Sequence, residues 1–340
     1  MILFERVYSL RRKVLGEEHP NTLTSLSNYA TIHNKLGNYN EALEFTEKAY
    51  KLRCKTLGEE HIRTLKALNA LTSIYVNLGN YCKAAELQEK TYNVHCKKFG
   101  EENILTLAAL DKVSHTYIKL GDPKKAFEFK EKVYDLRCKA LGDEYPDTLA
   151  TLNDLAGLCI KLKKHQKAKE ICAKLYSIQC KVLGEEHPDT LSALYAVAYA
   201  NDQLGNLENA LELYEKLYTF RCKVLGQEHP QTLKILSKSA DTCNKLKKHK
   251  QALQLHEKTY TMRCKALGGT NSDTLSSLND CALTYVLLGE LKKASELFEE
   301  VYKLRYQTLG EEHTDTFKTL NFLAKTYGRL GEHKKSLRAF

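Results

Sequence analysis

Residues 184–225 read GEEHPDTLSALYAVAYANDQLGNLENALELYEKLYTFRCKVL, and this pattern returns along the chain every 42 residues. One series of glycines marks the period without a slip: Gly16, Gly58, Gly100, Gly142, Gly184, Gly226, Gly268 and Gly310. A second series lies within the units, at Gly37, Gly79, Gly121, Gly205, Gly289 and Gly331, with Lys163 and Lys247 in the two gaps. A fixed period of this length indicates a repeat architecture rather than a set of unrelated domains.

Each unit contains two stretches with the period of an amphipathic helix. Apolar residues recur at steps of three and four, first after the linker and again after the second glycine. In four units a proline lies four residues after the glycine of the first series. This spacing suits one helix that ends at the glycine and a next helix that begins with the proline. We therefore predict an all-α fold of stacked antiparallel helix pairs.

The predicted helices cover the whole chain as one solenoid over residues 1–340. Residues 1–15 form a lone second helix, and seven full helix pairs follow over about 20–309. Residues 315–340 form a first helix and a clipped second helix. Because both ends fall inside a repeat, we expect the natural protein to have flanking segments outside this chain.

Three repeat positions keep their residue type and predict how the helices pack. The position of Leu26 is leucine in all eight units, and the position of Ala42 stays alanine until Ser336. A large side chain that faces a small one lets two helices approach closely. The third position is tyrosine in every unit from Tyr8 to Tyr302, and we expect these rings to be buried.

Composition excludes several classes of protein. The chain is 43% hydrophobic and 28% charged, which is typical of a folded protein. No apolar run approaches the roughly 18 residues of a membrane-spanning helix, so no membrane segment is expected. Eleven cysteines without a C-x-x-C pair favour a reducing compartment, and we predict a cytoplasmic location. The net charge of +10 is spread thinly along the chain, because acidic residues are interleaved with basic ones almost throughout.

The pattern resembles the tetratricopeptide repeat. Unit two shows it well, with Leu68, Thr72 and Tyr75 before Gly79 and with Ala84 after it. The period is longer than the usual one of about 34 residues, and with the linker LGEEHPDTL it looks like the kinesin-light-chain type of repeat. The resemblance implies an α-solenoid, a right-handed superhelix whose first helices line an inner, concave face. It is specific for the fold and says little about function, because such repeats serve unrelated partners.

No pattern in the chain predicts catalysis, a cofactor or a metal site. The Walker, dinucleotide-binding, zincin and nucleophile-elbow motifs are absent. Six cysteines share one repeat position and five linker histidines share another, so successive members are a whole helix pair apart. Metal ligands must converge on one ion. We therefore interpret the cysteines, from Cys54 to Cys264, as packing residues and the histidines, from His19 to His313, as helix caps.

Two turns replace glycine with lysine. The segments LKKHQK (162–167) and LKKHK (246–250) place Lys163 and Lys247 where the other units have glycine. If the position requires a positive φ, each substitution costs roughly 1 kcal/mol of stability. Two basic turns on one edge could bind an acidic surface of a partner. The alternative, and the simpler interpretation, is that the turns are solvent-exposed and their charge is incidental.

The resemblance places a ligand groove on the first helices, along the stripe opposite the core. In related arrays asparagines of this stripe hold an extended peptide by its backbone, because an amide both donates and accepts hydrogen bonds. Carrying the position of Ser27 forward gives the candidate residues Asn69, Asp111, Asn153, Tyr195, Asn279 and Asn321.

A second part of this stripe is apolar where polar residues are expected. The position of Asn34 supplies Val76, Ile118 and Ile160, and Tyr199 follows Tyr195 by one helical turn. Such side chains predict a binding hot spot, and packing at the groove edge is the alternative. Lysines rim the same face and favour an acidic or carboxylate-bearing partner: Lys66, Lys119, Lys161, Lys234 and Lys245.

These observations favour a non-catalytic scaffold that binds a peptide segment of a partner protein in the groove. The alternative is a sensor or oligomerisation array of a larger NTPase-type signalling protein, with catalysis outside this chain. Nucleic-acid binding is the least favoured, because charge is dilute and Asp111 and Asp202 lie on the predicted groove. The sequence predicts neither the partner nor the oligomeric state, and it leaves open whether the groove or the basic turns form the binding surface.

Overall fold

The computed structural model describes residues 2–332, which form sixteen α-helices and no strand. The first helix of each repeat is called its A helix and the second its B helix. The B helices are α1 (Ile2–Leu15), α3 (Tyr39–Leu57), α5 (Tyr81–Phe99), α7 (Pro123–Leu141), α9 (His165–Leu183), α11 (Leu207–Leu225), α13 (His249–Leu267) and α15 (Leu291–Leu309). The A helices are α2 (Pro20–Lys35), α4 (Ile62–Asn77), α6 (Ile104–Leu120), α8 (Pro146–Lys161), α10 (Pro188–Gln203), α12 (Pro230–Lys245), α14 (Ser272–Leu288) and α16 (Thr314–Leu330). The clipped second helix predicted over 333–340, with Ser336, lies outside the described residues.

The chain divides into two compact units, residues 1–164 and residues 165–340. Unit 1 contains α1 to α8, and unit 2 contains α9 to α16. Within each unit a helix packs mainly on its neighbours along the chain, in antiparallel pairs joined by tight turns. The predicted all-α fold of consecutive helix pairs is confirmed. No helix in residues 2–332 has the length and apolar character needed to cross a bilayer.

Alanine and leucine form the core at the two repeat positions that the sequence singles out. Ala42 and the alanines at the same position, from Ala84 to Ala294, are 0% exposed. The leucines from Leu26 to Leu278 are at most 4% exposed. Because alanine adds only a methyl group, the A and B helices of a repeat can approach closely and interdigitate.

The tyrosines that recur once per repeat, from Tyr8 to Tyr302, form what we call the tyrosine ladder, and they are less buried than the sequence predicts. Tyr92 is buried, whereas the other rings of the ladder are half-buried. A lysine of the following B helix covers the ring: the ammonium of Lys90 lies 5.7 Å from the Tyr50 ring centroid, and that of Lys132 lies 5.4 Å from the Tyr92 centroid. Lys90 also pairs with the linker residue Glu59 at 2.8 Å. The lysine stems shield the rings while their ammonium groups stay near water.

An arginine on six of the eight B helices bonds to the next A helix, a contact that was not predicted from the sequence; the position is His95 on α5 and Gln179 on α9. Arg53 donates from Nη1 to the carbonyl of Arg63, ten residues later, at 3.3 Å. Five arginines make the same bond at 2.9 to 3.2 Å: Arg11, Arg137, Arg221, Arg263 and Arg305. Each acceptor lies in the first turn of the following A helix. Since a charged donor makes a strong hydrogen bond, this contact fixes how successive repeats stack.

Linker side chains cap the A helices, as the sequence predicts. The ring Nδ1 accepts from the backbone N–H two residues later, at 3.1 to 3.2 Å, in His19, His61, His187, His229 and His313. Asn103 and Asn271 use the side-chain oxygen in the same way at 2.9 Å. Tyr145 occupies the position before α8 and makes no such bond.

The two turn lysines adopt the backbone conformation of the glycines that they replace. Lys163 has φ 56° and Lys247 has φ 61°, and glycine at the same position has φ between 73° and 85°. This left-handed region brings Cβ too close to the following carbonyl oxygen. The condition for the predicted strain is therefore met.

We predict that Lys163→Gly and Lys247→Gly each stabilise the protein by about 0.5–1 kcal/mol, because glycine relieves this strain. Lys112→Gly, at an exposed position inside α6, is the control and should destabilise by about 1 kcal/mol. Thermal unfolding measures all three. A lower melting temperature for both turn variants would show that the turns are not strained.

We predict that His229→Ala destabilises α12 by about 1 kcal/mol, because the cap acceptor is lost. His229→Asn should be close to neutral, since Asn103 and Asn271 cap the same way. Tyr145→Asn should stabilise the protein by supplying a missing cap. Urea unfolding tests the series, and an asparagine variant as unstable as the alanine variant would contradict it.

Candidate functional site

We call the side of the A helices that carries the candidate binding residues the A-helix face. Seven of them are exposed: Lys66, Asn69, Lys119, Asn153, Lys161, Lys234 and Lys245. Seven are half-buried: Val76, Asp111, Ile118, Ile160, Tyr195, Tyr199 and Asn321. Asn279 is 8% exposed, and its Oδ1 has no hydrogen-bond partner in the described part of the chain.

In unit 1 the predicted apolar strip lies on three consecutive A helices. Val76 is on α4, Ile118 on α6 and Ile160 on α8, and each side chain is half-buried. Partly exposed aliphatic side chains on neighbouring helices offer apolar surface to a ligand. The strip is therefore a candidate contact surface within unit 1.

Asp111 is engaged inside unit 1 rather than presented to a ligand. Its Oδ1 accepts from Lys130 Nζ at 2.6 Å, and Arg137 Nη2 lies 3.7 Å from its Oδ2. Asp154, on the next A helix, accepts from the same ammonium at 2.8 Å. Lys130 is 0% exposed, so the two carboxylates compensate a buried charge. Removing one of them would leave an incompletely paired buried ion, which is strongly destabilising.

In unit 2 the predicted aromatic pair forms one stacked group. The Tyr195 and Tyr199 rings are 6.4 Å apart with an interplanar angle of 23°. Tyr195 also packs on Tyr214, whose ring centroid is 6.1 Å away. Lys234 places its ammonium 5.7 Å from the Tyr195 centroid. Burial raises the pKa of Tyr195 above its ordinary value.

A polar cleft adjoins Tyr199 between α10 and α12. Its other lining residues are Asp202, Gln203, Lys238, Asp241, Thr242, Asn244 and Lys245. Lys245 Nζ lies 2.5 Å from Asp202 Oδ2, and Lys238 Nζ lies 3.1 Å from Asp241 Oδ2. Each carboxylate in the cleft therefore has a lysine partner. The cleft presents paired charges, two amides and a tyrosine ring together.

Within each unit, a B helix forms the floor of the A-helix face between consecutive A helices. The floor residue differs from one B helix to the next: Thr46, Gln88 and Lys130 in unit 1, and Tyr214, His256 and Phe298 in unit 2. We call the space around a floor residue, between two A helices of one unit, an inter-repeat niche. These residues were not predicted from the sequence, because they share a helix with the core alanines. Their wide variation beside invariant alanine and tyrosine was the signal that could have found them.

Two niches of unit 2 illustrate the range of this variation. Phe298 is 0% exposed and stacks on Phe322, with centroids 5.8 Å apart. His256 is 1% exposed, and its Nε2 lies 3.9 Å from Asp241 Oδ1. Burial and the charge of Asp241 raise the pKa of the neighbouring Asp280 to about 7. The niche of Phe298 is therefore aromatic, and the niche of His256, one repeat earlier in the chain, is polar and ionisable.

The niches share no set of metal ligands within residues 2–332. No cluster of three or more His, Cys, Asp or Glu side chains in residues 2–332 could hold a metal ion. What recurs is a set of different side-chain environments at a constant spacing along the A-helix face. Repeat proteins use such extended surfaces to bind other chains.

Comparison with protein families identifies the repeat. The tetratricopeptide repeat model matches residues 2–55, 26–97, 147–223 and 231–307, and a second model of this repeat matches residues 106–147. No curated protein matches the chain significantly.

Solved structures with the same fold agree with the match to the tetratricopeptide repeat. Nearly identical TPR-like repeats from Podosopora anserina, described as a kinesin light chain, are 29% identical with a TM-score of 0.51. That match covers 61% of this chain and 98% of the other. A signal transduction ATPase from Pyrococcus horikoshii with a tetratricopeptide repeat sensor is 16% identical with a TM-score of 0.59. It covers 95% of this chain and 52% of the other, and at this identity the likeness concerns the fold alone.

The matched ranges take in most of the chain, and each falls on the helix pairs described above. The resemblance seen in the sequence, including its kinesin-light-chain-like character, is confirmed. The chain belongs to the tetratricopeptide repeat family.

Proposed function

We propose that this chain is a non-catalytic scaffold that binds a peptide segment of a partner protein on its A-helix face. Membership of the tetratricopeptide repeat family supports a role in protein–protein interaction. All eleven cysteines are free thiols, which fits a reducing compartment, and we propose that the protein acts in the cytoplasm.

The stacked pair Tyr195–Tyr199 beside the polar cleft is the observation that carries this proposal. Both rings remain partly exposed on α10, where a core residue would be covered. Tyrosine supplies a large apolar contact and a hydroxyl at little cost in side-chain entropy, which makes it common among binding hot spots. The adjacent cleft contains the amides of Gln203 and Asn244. Gln203 donates to Asp202, and Asn244 bonds to Thr284 and His249. Each amide keeps a second N–H and a carbonyl lone pair for the C=O and N–H groups of a peptide backbone. An aromatic anchor next to backbone-binding amides is the arrangement expected for peptide capture.

The lysines of the face support an acidic or carboxylate-bearing partner. Lys66, Lys119, Lys161 and Lys234 form no ion pair with any described residue, so each can attract a carboxylate. Lys245 is already neutralised by Asp202 and contributes less. Charges at the rim of such a surface act mainly on the association rate and on partner choice.

A sensor or oligomerisation array of a larger NTPase-type protein is the second candidate. It is favoured by the fold shared with the sensor-bearing ATPase from Pyrococcus horikoshii, which extends over 95% of this chain. Nucleic-acid binding is a weaker candidate. The cleft beside Tyr199 contains Asp202 and Asp241, whose charges oppose a phosphate backbone.

We predict that Tyr199→Ala weakens peptide binding about tenfold, because a partly exposed aromatic anchor contributes about 1–3 kcal/mol. The probe is a peptide selected from a random displayed library against the whole chain, and fluorescence anisotropy measures its Kd. Tyr306→Ala is the matched control. Tyr306 also belongs to an i, i+4 tyrosine pair, with Tyr302 at 6.0 Å, but it lies on the B helix α15.

A matched pair in unit 1 extends this test. Asn153→Ala, on the A-helix face, should weaken peptides that reach unit 1, while circular dichroism stays unchanged because the side chain is exposed. Removing the charges of Lys163 and Lys164 should matter only at low salt, since exposed turn charges are screened. If the turn variant abolishes binding and Tyr199→Ala and Asn153→Ala do not, the basic turns are the binding surface and the proposal fails.

A further inference from the structure

The niche between the first two repeats of unit 1 is an open pocket lined by cations. Its walls are Thr24, Ser27, Asn28 and Thr31 from α2, and Arg63, Lys66, Ala67 and Ala70 from α4. Thr46 and Arg53 of α3 form its floor. The pocket is open because threonine is small where the corresponding residues in unit 2 include Tyr214, His256 and Phe298. No carboxylate lines it.

Arg53 is a buried cation without an anionic partner. It is 6% exposed, and its guanidinium donates to the carbonyls of Arg63 at 3.3 Å and Leu23 at 3.2 Å. A guanidinium has five N–H donors, so three remain. Burial, followed by the nearby charge of Arg63, lowers the pKa of Arg53. Arg63 and Lys66 likewise form no ion pair with any residue in 2–332.

The equivalent niche between repeats 3 and 4 contains the anions that this one lacks. There Asp111 and Asp154 bind Lys130, and Arg137 lies 3.7 Å from Asp111. Counting back by two periods, these carboxylates correspond to Ser27 and Ala70, while the arginine is retained as Arg53. The first niche therefore keeps the arginine but loses both internal anions, and Thr46 takes the place of the buried Lys130. An anion supplied by a ligand would restore the balance.

The donors of the pocket suit a phosphate group. Three cations surround one space, and Ser27 adds a buried hydroxyl that has no hydrogen-bond partner among residues 2–332. A carboxylate brings one charge and two oxygens, whereas a phosphate monoester brings nearly two charges and three acceptor oxygens. Arginine is also the side chain whose fork best matches phosphate.

We propose that the first niche is a subsite for a phosphorylated serine or threonine in the bound peptide. Arg53 holds the phosphate from the floor, and Arg63 and Lys66 close on it from α4. The Ser27 hydroxyl donates to one of its oxygens. This inference rests on the proposed peptide-binding function but concerns unit 1, whereas Tyr199 belongs to unit 2, so the two can fail separately.

The test uses the whole chain and three labelled five-residue Gly–Ser peptides, with phosphoserine, serine or glutamate at the centre. Fluorescence anisotropy should show the phosphoserine peptide binding at least tenfold more tightly than the other two. Lys66→Gln should weaken its binding about tenfold, because a hydrogen bond to a charged group is lost. Thr46→Phe should abolish binding by filling the pocket, with a residue that repeat 7 carries at the same position as Phe298.

Lys51→Gln is the control. Lys51 lies on α3 with its side chain 77% exposed, and it does not line the pocket. It should leave binding of the phosphoserine peptide unchanged, and the melting temperature of every variant is measured to confirm folding. Equal binding of the phosphoserine and glutamate peptides would make the niche a general carboxylate site and overturn the proposal. Undiminished binding by folded Thr46→Phe, or tighter binding of a single-stranded oligonucleotide, would overturn it as well.

Discussion

The close approach of the A and B helices at one alanine per repeat is the constraint on which this structure depends. Seven alanines from Ala42 to Ala294 are 0% exposed. A larger side chain there would separate the helices, and the leucine that packs opposite would lose its contacts. Because the contact recurs every 42 residues, it sets the spacing at which the A helices present their remaining face.

The arginine bond that six B helices make to the next A helix adds a second constraint with a functional consequence. It holds two A helices over the B-helix floor and so creates a niche at a fixed place. The floor residue is then free to vary, from Thr46 through Lys130 to Phe298, without disturbing the alanine contact. In this account the repeated alanines and leucines of the core maintain the fold, and the floor residue determines what each niche can bind.

The fold was predictable because each repeat position that keeps its residue type meets one local structural requirement. Glycine marks a positive φ, which Lys163 and Lys247 also adopt, and alanine marks a close approach. The burial of the repeated tyrosines was overestimated. Flexible lysines of the next B helix cover these rings in place of core residues, and such lysines leave the rings partly exposed. Contacts between long surface side chains leave little trace in periodicity.

The site was predictable only in part. Sequence reasoning placed Tyr195 and Tyr199 on one helical face, and the rings do stack at 6.4 Å. It could not distinguish Asp111, which neutralises the buried Lys130, from an acidic residue available to a ligand. Nor could it find the niche floor, since Arg53 and Thr46 have neighbours in the core of their own helix. Their roles depend on which residues of the following repeat lie opposite.

A crystal structure of the chain with a library-selected peptide tests the central claim most directly. The account predicts that the peptide lies along the A-helix face, with an apolar side chain against the Tyr195–Tyr199 pair and its backbone bonded to Gln203 or Asn244. A peptide seated on the exposed side of the B helices, with the tyrosine pair uncovered, would contradict it.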